Sequence, residues 1–473
     1  MIARGAILTA ISQVVFLISG FTMNMVLARL LGPEDYGTFG LVISILIIVE
    51  IFVNTGIPEA VKKFGGEKPE LIGAIVRKTL PWQLIYGLGM FAILIVAAPQ
   101  ISKILQDDRL TQLLRIASAN IIFYGLHKYF TGVQSGTHNF LKFSLLNIVY
   151  SLSKLVAIVG IVLAGFSVIG ALVGNVVASI IGLIVGITFA KFKIKGVNTQ
   201  NVETKKYVNF VIPNLLYFVG LNLFFSIDLW FVKYYLSDLK VGYYASAATL
   251  SKMPYFLSIG LTAVLLPSLS QTIAAMDRER TREIITDSLR YVLIFLVLIV
   301  VVCAFNGREI IILVMGQKFS EAGPVLGILI SGLSLTTTML VIHTFLMAKN
   351  LMKLCFYQIV LLLILDVILN AFLVPRYQLF GAAFATFSIG LVGTIISSSY
   401  IYKDIKDSIL PFVGKLYAAI VILCVFSFLL NYSTVHIIFK LILLSSIYFI
   451  LLYALKVINT VDIERLKTAL QIV

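Results

Sequence analysis

Apolar residues fill this chain in runs of about 20, each closed by a short cluster of charged or turn-forming residues. A run of that length spans the hydrocarbon core as one α-helix. The pattern predicts fourteen spans, near residues 7–28, 37–57, 80–98, 110–131, 143–164, 168–190, 208–232, 241–269, 289–305, 322–347, 354–374, 379–401, 412–430 and 437–456. The stretch Ala28-Arg-Leu-Leu-Gly-Pro-Glu-Asp-Tyr-Gly37 is polar punctuation between the runs Ile7–Leu27 and Phe39–Ile57. Gly32-Pro33 stops a helix there, because proline has no N–H to donate and disfavours helix in the residue before it. The segment predicts a tight extramembrane turn within a helical hairpin.

Composition agrees. Of 473 residues, 60% are hydrophobic and 12% charged, more apolar surface than a soluble fold can hide. The class is an all-α integral membrane protein. The first run is too long for a signal-peptide core and lacks a small-residue cleavage site, so it reads as a mature helix. Cys303, Cys355 and Cys424 lie far apart in or beside apolar runs, which argues against a disulfide framework or a metal site. The net charge of +15 would suggest nucleic acid in a soluble chain. Sorted by alternate loops, however, the 37 Lys and Arg fall 25 on one side and 8 on the other, with four inside spans. That bias predicts a multi-pass cell-membrane protein with both termini cytoplasmic and no nucleic-acid partner. The external Asp107-Asp108 pair reads as solvated acids, and Asn431-Tyr432-Ser433 as a chance glycosylation triplet.

The two halves resemble each other. At an offset of 211, Asn139 and Lys142 fall on Asn350 and Lys353, Gly170-Ala171 on Gly381-Ala382, and Gly182 on Gly393. At 205, Leu31 falls on Leu236, Tyr36-Gly37 on Val241-Gly242, and Phe39 on Tyr244. Spans 1–6 and 7–12 therefore read as copies, an N-lobe over 1–190 and a C-lobe over 207–402. A cytoplasmic linker over 191–206 joins them, and residues 403–473 add two helices and a tail. Six is even, so both copies enter the membrane in the same direction, related by an axis along its normal.

A charge at mid-bilayer costs at least about 2.5–3.5 kcal/mol and needs a reason. Six candidates fall inside spans: Glu50, Arg115, Lys154, Asp228, Lys252 and Asp366. Two readings stay open. Either Arg115, Lys154 and Lys252 face a cavity and bind an anionic head group, or the three cations pair with the three carboxylates. Lys440 is near a span end and can snorkel. Gln13, Asn24, Asn147, Asn214, Asn222 and Asn370 are candidates for sugar hydroxyls or for interhelical bonds. His127-Lys128, at the cytoplasmic end of span four, reads either as a basic mouth or as a solvated helix end; Pro213, Pro254 and Pro267 can bend spans seven and eight.

Residues Ala28–Phe39, followed by an apolar span and Gly56-Ile57-Pro58, resemble the polysaccharide-biosynthesis flippases of the multidrug/oligosaccharidyl-lipid/polysaccharide superfamily. Val241–Ala245 and Leu266-Pro-Ser-Leu-Ser270 look like the matching second-lobe segments. The resemblance implies translocation of a polyprenyl-(di)phosphate-linked oligosaccharide from the cytoplasmic to the external leaflet by alternating access. It implies a central, partly cationic cavity, membrane lipids and a glycan polymerase or ligase as partners, and no cofactor. The coupling ion is left open. The turn, with Arg29, Glu34 and Asp35, would then shape an external gate. No G-x-x-x-x-G-K-[ST] stretch is present. The alternatives are a cation-coupled multidrug exporter, although residues 7–27 carry no acid, and a membrane glycosyl- or phosphotransferase, although the loops are short and mostly basic.

Overall fold

A computed structural model describes residues 2–190, 215–431, 436–458 and 462. The linker 191–206, Pro213, Asn214 and the last two residues of the Asn431 triplet lie outside them. The described residues are helical throughout: α1 (Ile2–Asn54), α2 (Ile57–Glu67), α3 (Ile72–Ile104), α4 (Arg109–Gly136), α5 (Phe140–Ile161) and α6 (Ser167–Phe189) come first. They continue with α7 (Leu215–Tyr235), then α8 (Asp238–Ser251), α9 (Met253–Ala274), α10 (Arg278–Met315), α11 (Gly323–Ala348), α12 (Met352–Asn431) and α13 (Ile437–Ala454). In lipid, a helix satisfies its own backbone groups, and no open strand edge can.

Nine helical stretches among the described residues are long and apolar enough to cross a bilayer, or ten if one bent pair is a single span. Several are more than one crossing. The 53 residues of α1 would run about 80 Å at 1.5 Å each, against hydrocarbon about 30 Å thick. Left-handed residues break the longest of them: Gly32 (φ 74°) in α1 and Gln378 (φ 54°) in α12. Gly165 (φ 96°) and Ser167 (φ 43°) separate α5 from α6. This segmentation is compatible with fourteen crossings and a multi-pass membrane protein.

The first turn is tighter than its sequence predicts. Helix runs to Leu31 and resumes at Pro33, so the ten-residue stretch reduces to one non-helical glycine. Proline tolerates the first turn of a helix, where its missing N–H has no partner to lose. Elsewhere the helices end on one recurring device. A residue with positive φ (Gln106, His138, Met276, Asn350, Lys456) is followed by an N–H bonded five residues back, as from Asp107 to Ser102 O (3.1 Å) and from Leu351 to Leu346 O (2.9 Å). This Schellman closure satisfies carbonyls that a helix end leaves open.

The chain divides into two compact units. One comprises 1–246 with 359–378, and the other 247–358 with 379–473. In the first, α2 is an amphipathic helix laid on the end of α4, where glycines admit it. A Cβ on Gly132 would meet Pro58 O at 2.6 Å, and one on Gly136 would meet Lys62 O at 3.0 Å. Val61, Ile75, Tyr129 and Val133 form the core beneath. The repeat-related turns also touch each other. A Cβ on Gly37 would lie 2.5 Å from Gly242 N, and one on Gly242 would lie 1.9 Å from Pro33 O. In each copy a second-helix tyrosine bonds a polar side chain of the preceding helix: Tyr36 to Asn24 Oδ1 (3.2 Å) and Tyr244 to Asp228.

In the second unit, Gln358 donates to Gly393 O (2.7 Å) and Ser397 Oγ (2.8 Å), and meets His343 Nε2 at 3.2 Å. Lys440 is buried rather than snorkelling and pairs with Glu309 at 3.0 Å. The pair compensates a charge that sequence position alone leaves beside water.

Gly242→Ala is expected to destabilise the protein by about 1–3 kcal/mol, since Pro33 is backbone and cannot yield. Gly89→Ala, where a Cβ meets nothing within 4 Å, is expected to be neutral or stabilising by up to about 1 kcal/mol. Thermal unfolding in detergent measures both, and equal midpoints would count against the crossing.

Candidate functional site

The first unit holds a polar core at mid-span. Glu50 on α1 is buried and accepts from Asn120 Nδ2 on α4 at 2.6 Å. Asn120 Oδ1 in turn accepts from Ser179 Oγ on α6 at 2.7 Å. An aromatic ladder stands beside this chain. The ring of His127 lies 4.7 Å from that of Tyr150 on α5, and Tyr124 lies 5.3 Å from Tyr150. Two lysines cap the ladder: Lys128 Nζ is 5.5 Å from the Tyr124 ring centre, and Lys154 Nζ is 6.0 Å from that of Tyr150. Both act electrostatically on Glu50.

The cause is helical spacing. Asn120, Tyr124 and Lys128 recur every fourth residue on α4, and Tyr150 and Lys154 do so on α5. Such residues share one face. A cation over an aromatic face is attracted by the ring's quadrupole. The arrangement keeps two ammonium groups near Glu50, with Glu59 also acting on Lys128, and no direct ion pair joins them among the described residues.

Of the predicted residues, Glu50, Lys154, His127 and Lys128 come together here. His127 is fully buried inside the ladder, and neither ring nitrogen has a well-formed hydrogen bond. Arg115, also on α4, is exposed and outside the cluster. Lys252 belongs to the second unit, half-buried at the break between α8 and α9. Asp228 and Asp366 are buried and act on each other electrostatically. Asp228 accepts from Tyr244 and from Leu229 N (2.8 Å), and Asp366 accepts from Asn370 Nδ2 (2.8 Å).

The predicted amides are largely spent on their own helices. Asn24, Asn147, Asn222 and Asn370 each donate to the carbonyl four residues back, at 2.9–3.1 Å. Gln13 is exposed. In the first turn, Asp35 accepts from Ser167 Oγ and so ties the turn to the start of α6; Arg29 and Glu34 are exposed.

Asp107 is not a solvated acid. Lys233 Nζ lies 2.7 Å and Arg109 Nη2 3.0 Å from its Oδ2. Both cations also reach Asp238 on the first turn of α8, Arg109 at 2.5 Å. The Asp107 and Lys233 side chains are 6% and 8% exposed. Removing one partner of such a pair strands the other and costs about 3–5 kcal/mol, whereas Arg109, 57% exposed, adds little. Sequence reasoning missed this network because its members are 126 residues apart with no motif to join them.

A family model described as "Polysaccharide biosynthesis protein" matches residues 26–324. Over 383 residues the chain is 23% identical to the probable low-salt glycan biosynthesis flippase Agl15 of Haloferax volcanii, covering 79% of this chain and 78% of that one. It is also 23% identical over 401 residues to an uncharacterized membrane protein of Methanocaldococcus jannaschii, covering 79% and 92%. Among solved structures, the lipid II flippase MurJ in an inward closed conformation matches with a TM-score of 0.77 at 17% identity, over 96% of this chain and 98% of that one. An inward-facing multidrug transporter of the MATE family, MOP superfamily, gives 0.67 at 12% identity, over 85% and 99%. At these identities the structural likeness speaks to the fold.

Burial alone would raise the Asp107 carboxyl, but hydrogen bonds and charge from Arg109 and Lys233 outweigh it and hold the group at about 2. A depressed carboxylate stabilises the fold fully above its ordinary value, near 4, and loses that contribution as pH falls towards 2. The thermal midpoint of the full chain in detergent is expected to fall more steeply across pH 4 to 2 than that of Asp107→Asn. Parallel slopes would contradict the network's weight.

Proposed function

This chain belongs to the polysaccharide biosynthesis protein family, and from that premise we propose that it carries a polyprenyl-(di)phosphate-linked oligosaccharide from the cytoplasmic to the external leaflet by alternating access. The observation that carries the reading is the pair Lys128, towards the cytoplasmic end of its span, and Lys154, near the middle of its own, held over tyrosine faces beside the hydrogen-bonded Glu50. A phosphate needs cations at that depth, since hydrocarbon offers it no solvation.

In this reading Lys154 contacts the head group, and Lys252 and Arg115 add charge along the path. Glu50, Asp228 and Asp366 keep the cavity from being purely cationic, so that bound anion can leave. Lys128 serves the cytoplasmic mouth with His127 behind it, and Arg29, Glu34 and Asp35 flank the external gate. The polyprenol stays in lipid while the diphosphate and sugars move through the protein. With both termini in the cytoplasm, an inside-negative potential favours export by roughly 2.3 kcal/mol per charge per 100 mV. The chain moves its cargo without covalent chemistry, and a glycan polymerase or ligase on the outer face consumes it.

Lys154→Ala and Lys252→Ala are each expected to reduce translocation of lipid-linked oligosaccharide in reconstituted vesicles by about tenfold or more, the loss of about 1.4 kcal/mol of binding. Drug resistance of cells expressing either variant should be unchanged. Lost drug resistance with intact glycan movement would favour a multidrug exporter instead. An inside-negative potential should speed movement in the wild type.

A further inference from the structure

Four ties gather towards one end of the first unit. At the centre, the backbones of Gly37 and Gly242 meet without room for a methyl group, and Gly40 faces Ala245 with its absent Cβ 3.3 Å from that of the alanine. To one side, the α3–α4 turn joins the α7–α8 turn through Asp107, Arg109, Lys233 and Asp238. Lys240 Nζ reaches Gln378 Oε1, at the break in α12, at 2.6 Å. One helical turn deeper along α7, Trp230 Nε1 donates to Ser44 Oγ at 2.8 Å. Every tie links the first sequence repeat to the second, or two helices of the second.

The chemistry of these ties differs from that of the interior. Glu50, Asn120 and Ser179 sit at hydrocarbon depth, where parting them would strand polar groups at several kcal/mol each. The clasp groups Asp107, Arg109, Lys233 and Asp238 are charged and lie in or at the helix ends beside two turns, so water can reach them when they separate. Arg109 is already 57% exposed and Asp238 31%, so that pair exchanges with water at little net cost, while the buried Asp107–Lys233 pair carries most of the hold. At the glycine seam the nearest neighbours of Gly37 and Gly242 are backbone atoms, so no side chain of either glycine has to be withdrawn for it to open. Strong when closed and cheap to rehydrate, the ties suit a contact that opens and recloses.

We infer that Asp107, Arg109, Lys233 and Asp238 form an ion-pair clasp that holds the external end shut over the Gly37–Gly242 seam and must open for cargo to leave. The inference rests on the orientation and transport reading above but assigns the latch to residues outside the first turn.

The test uses the full chain with Cys303, Cys355 and Cys424 replaced by Ala and Ser44→Cys as reporter beneath the clasp. Intact cells are treated with a membrane-impermeant maleimide. Asp107→Asn with Lys233→Met is expected to raise labelling of the reporter by about fivefold, as the population shifts towards the open end. In a second variant, Arg109→Cys with Asp238→Cys, oxidation should lower reporter labelling and stop lipid-linked oligosaccharide movement in vesicles, and reductant should restore both. Labelling unchanged in the neutralised variant overturns the clasp, whether or not the wild type moves glycan. Raised labelling, in a protein that moves no lipid-linked glycan under any gradient, leaves the clasp standing and removes the transport reading instead.

Discussion

The hydrogen bond from Asn120 to Glu50 is the contact on which the polar interior of the first unit depends. A carboxylate at that depth is tolerable only when its oxygens are bonded and opposite charge is near. Asn120 supplies the bond, Ser179 orients Asn120, and Lys128 and Lys154 supply the charge. Because α1, α4, α5 and α6 each contribute at least one of these groups, α4 two, their rotations about their own axes are fixed together. The tyrosines then hold the lysines at the edge of the group, close enough to balance Glu50 and far enough to receive another anion.

A second constraint is steric. The crossing of the two repeat-related turns is set by glycine, because only a residue without a Cβ allows backbones to approach so closely. The same logic recurs where Gly132 and Gly136 admit α2 against α4. Polar ties and close crossings thus divide the work, the first setting helix rotation and the second setting helix spacing.

Much of this was legible in the sequence. Length, run spacing and the loop-charge bias gave an all-helical membrane protein, and the Gly32-Pro33 break stands where proline chemistry puts it. The offset that paired Gly37 with Gly242 pointed at two residues that do meet. The site was only half visible. Glu50, Lys154 and Lys128 stood out as costly charges, but their organiser, Asn120, is neutral and one of many amides. Its every-fourth-residue spacing to Tyr124 and Lys128 was the available signal. The reverse error concerned Asn24, Asn147, Asn222 and Asn370, whose donors return to their own helices. A side-chain amide can always bond the carbonyl four residues back, and sequence carries no mark of that choice. Asp107 and Lys233 were unreadable as a pair, since long-range ionic partners leave no periodic trace.

Gly37 and Gly242 occupy equivalent positions in the two repeats and touch each other. In a symmetric homodimer, a residue that contacts its own copy lies on the twofold axis. The seam therefore has the form of an isologous interface within one chain. The side chains around it can change freely, but neither glycine can be enlarged without driving a Cβ into backbone across the seam.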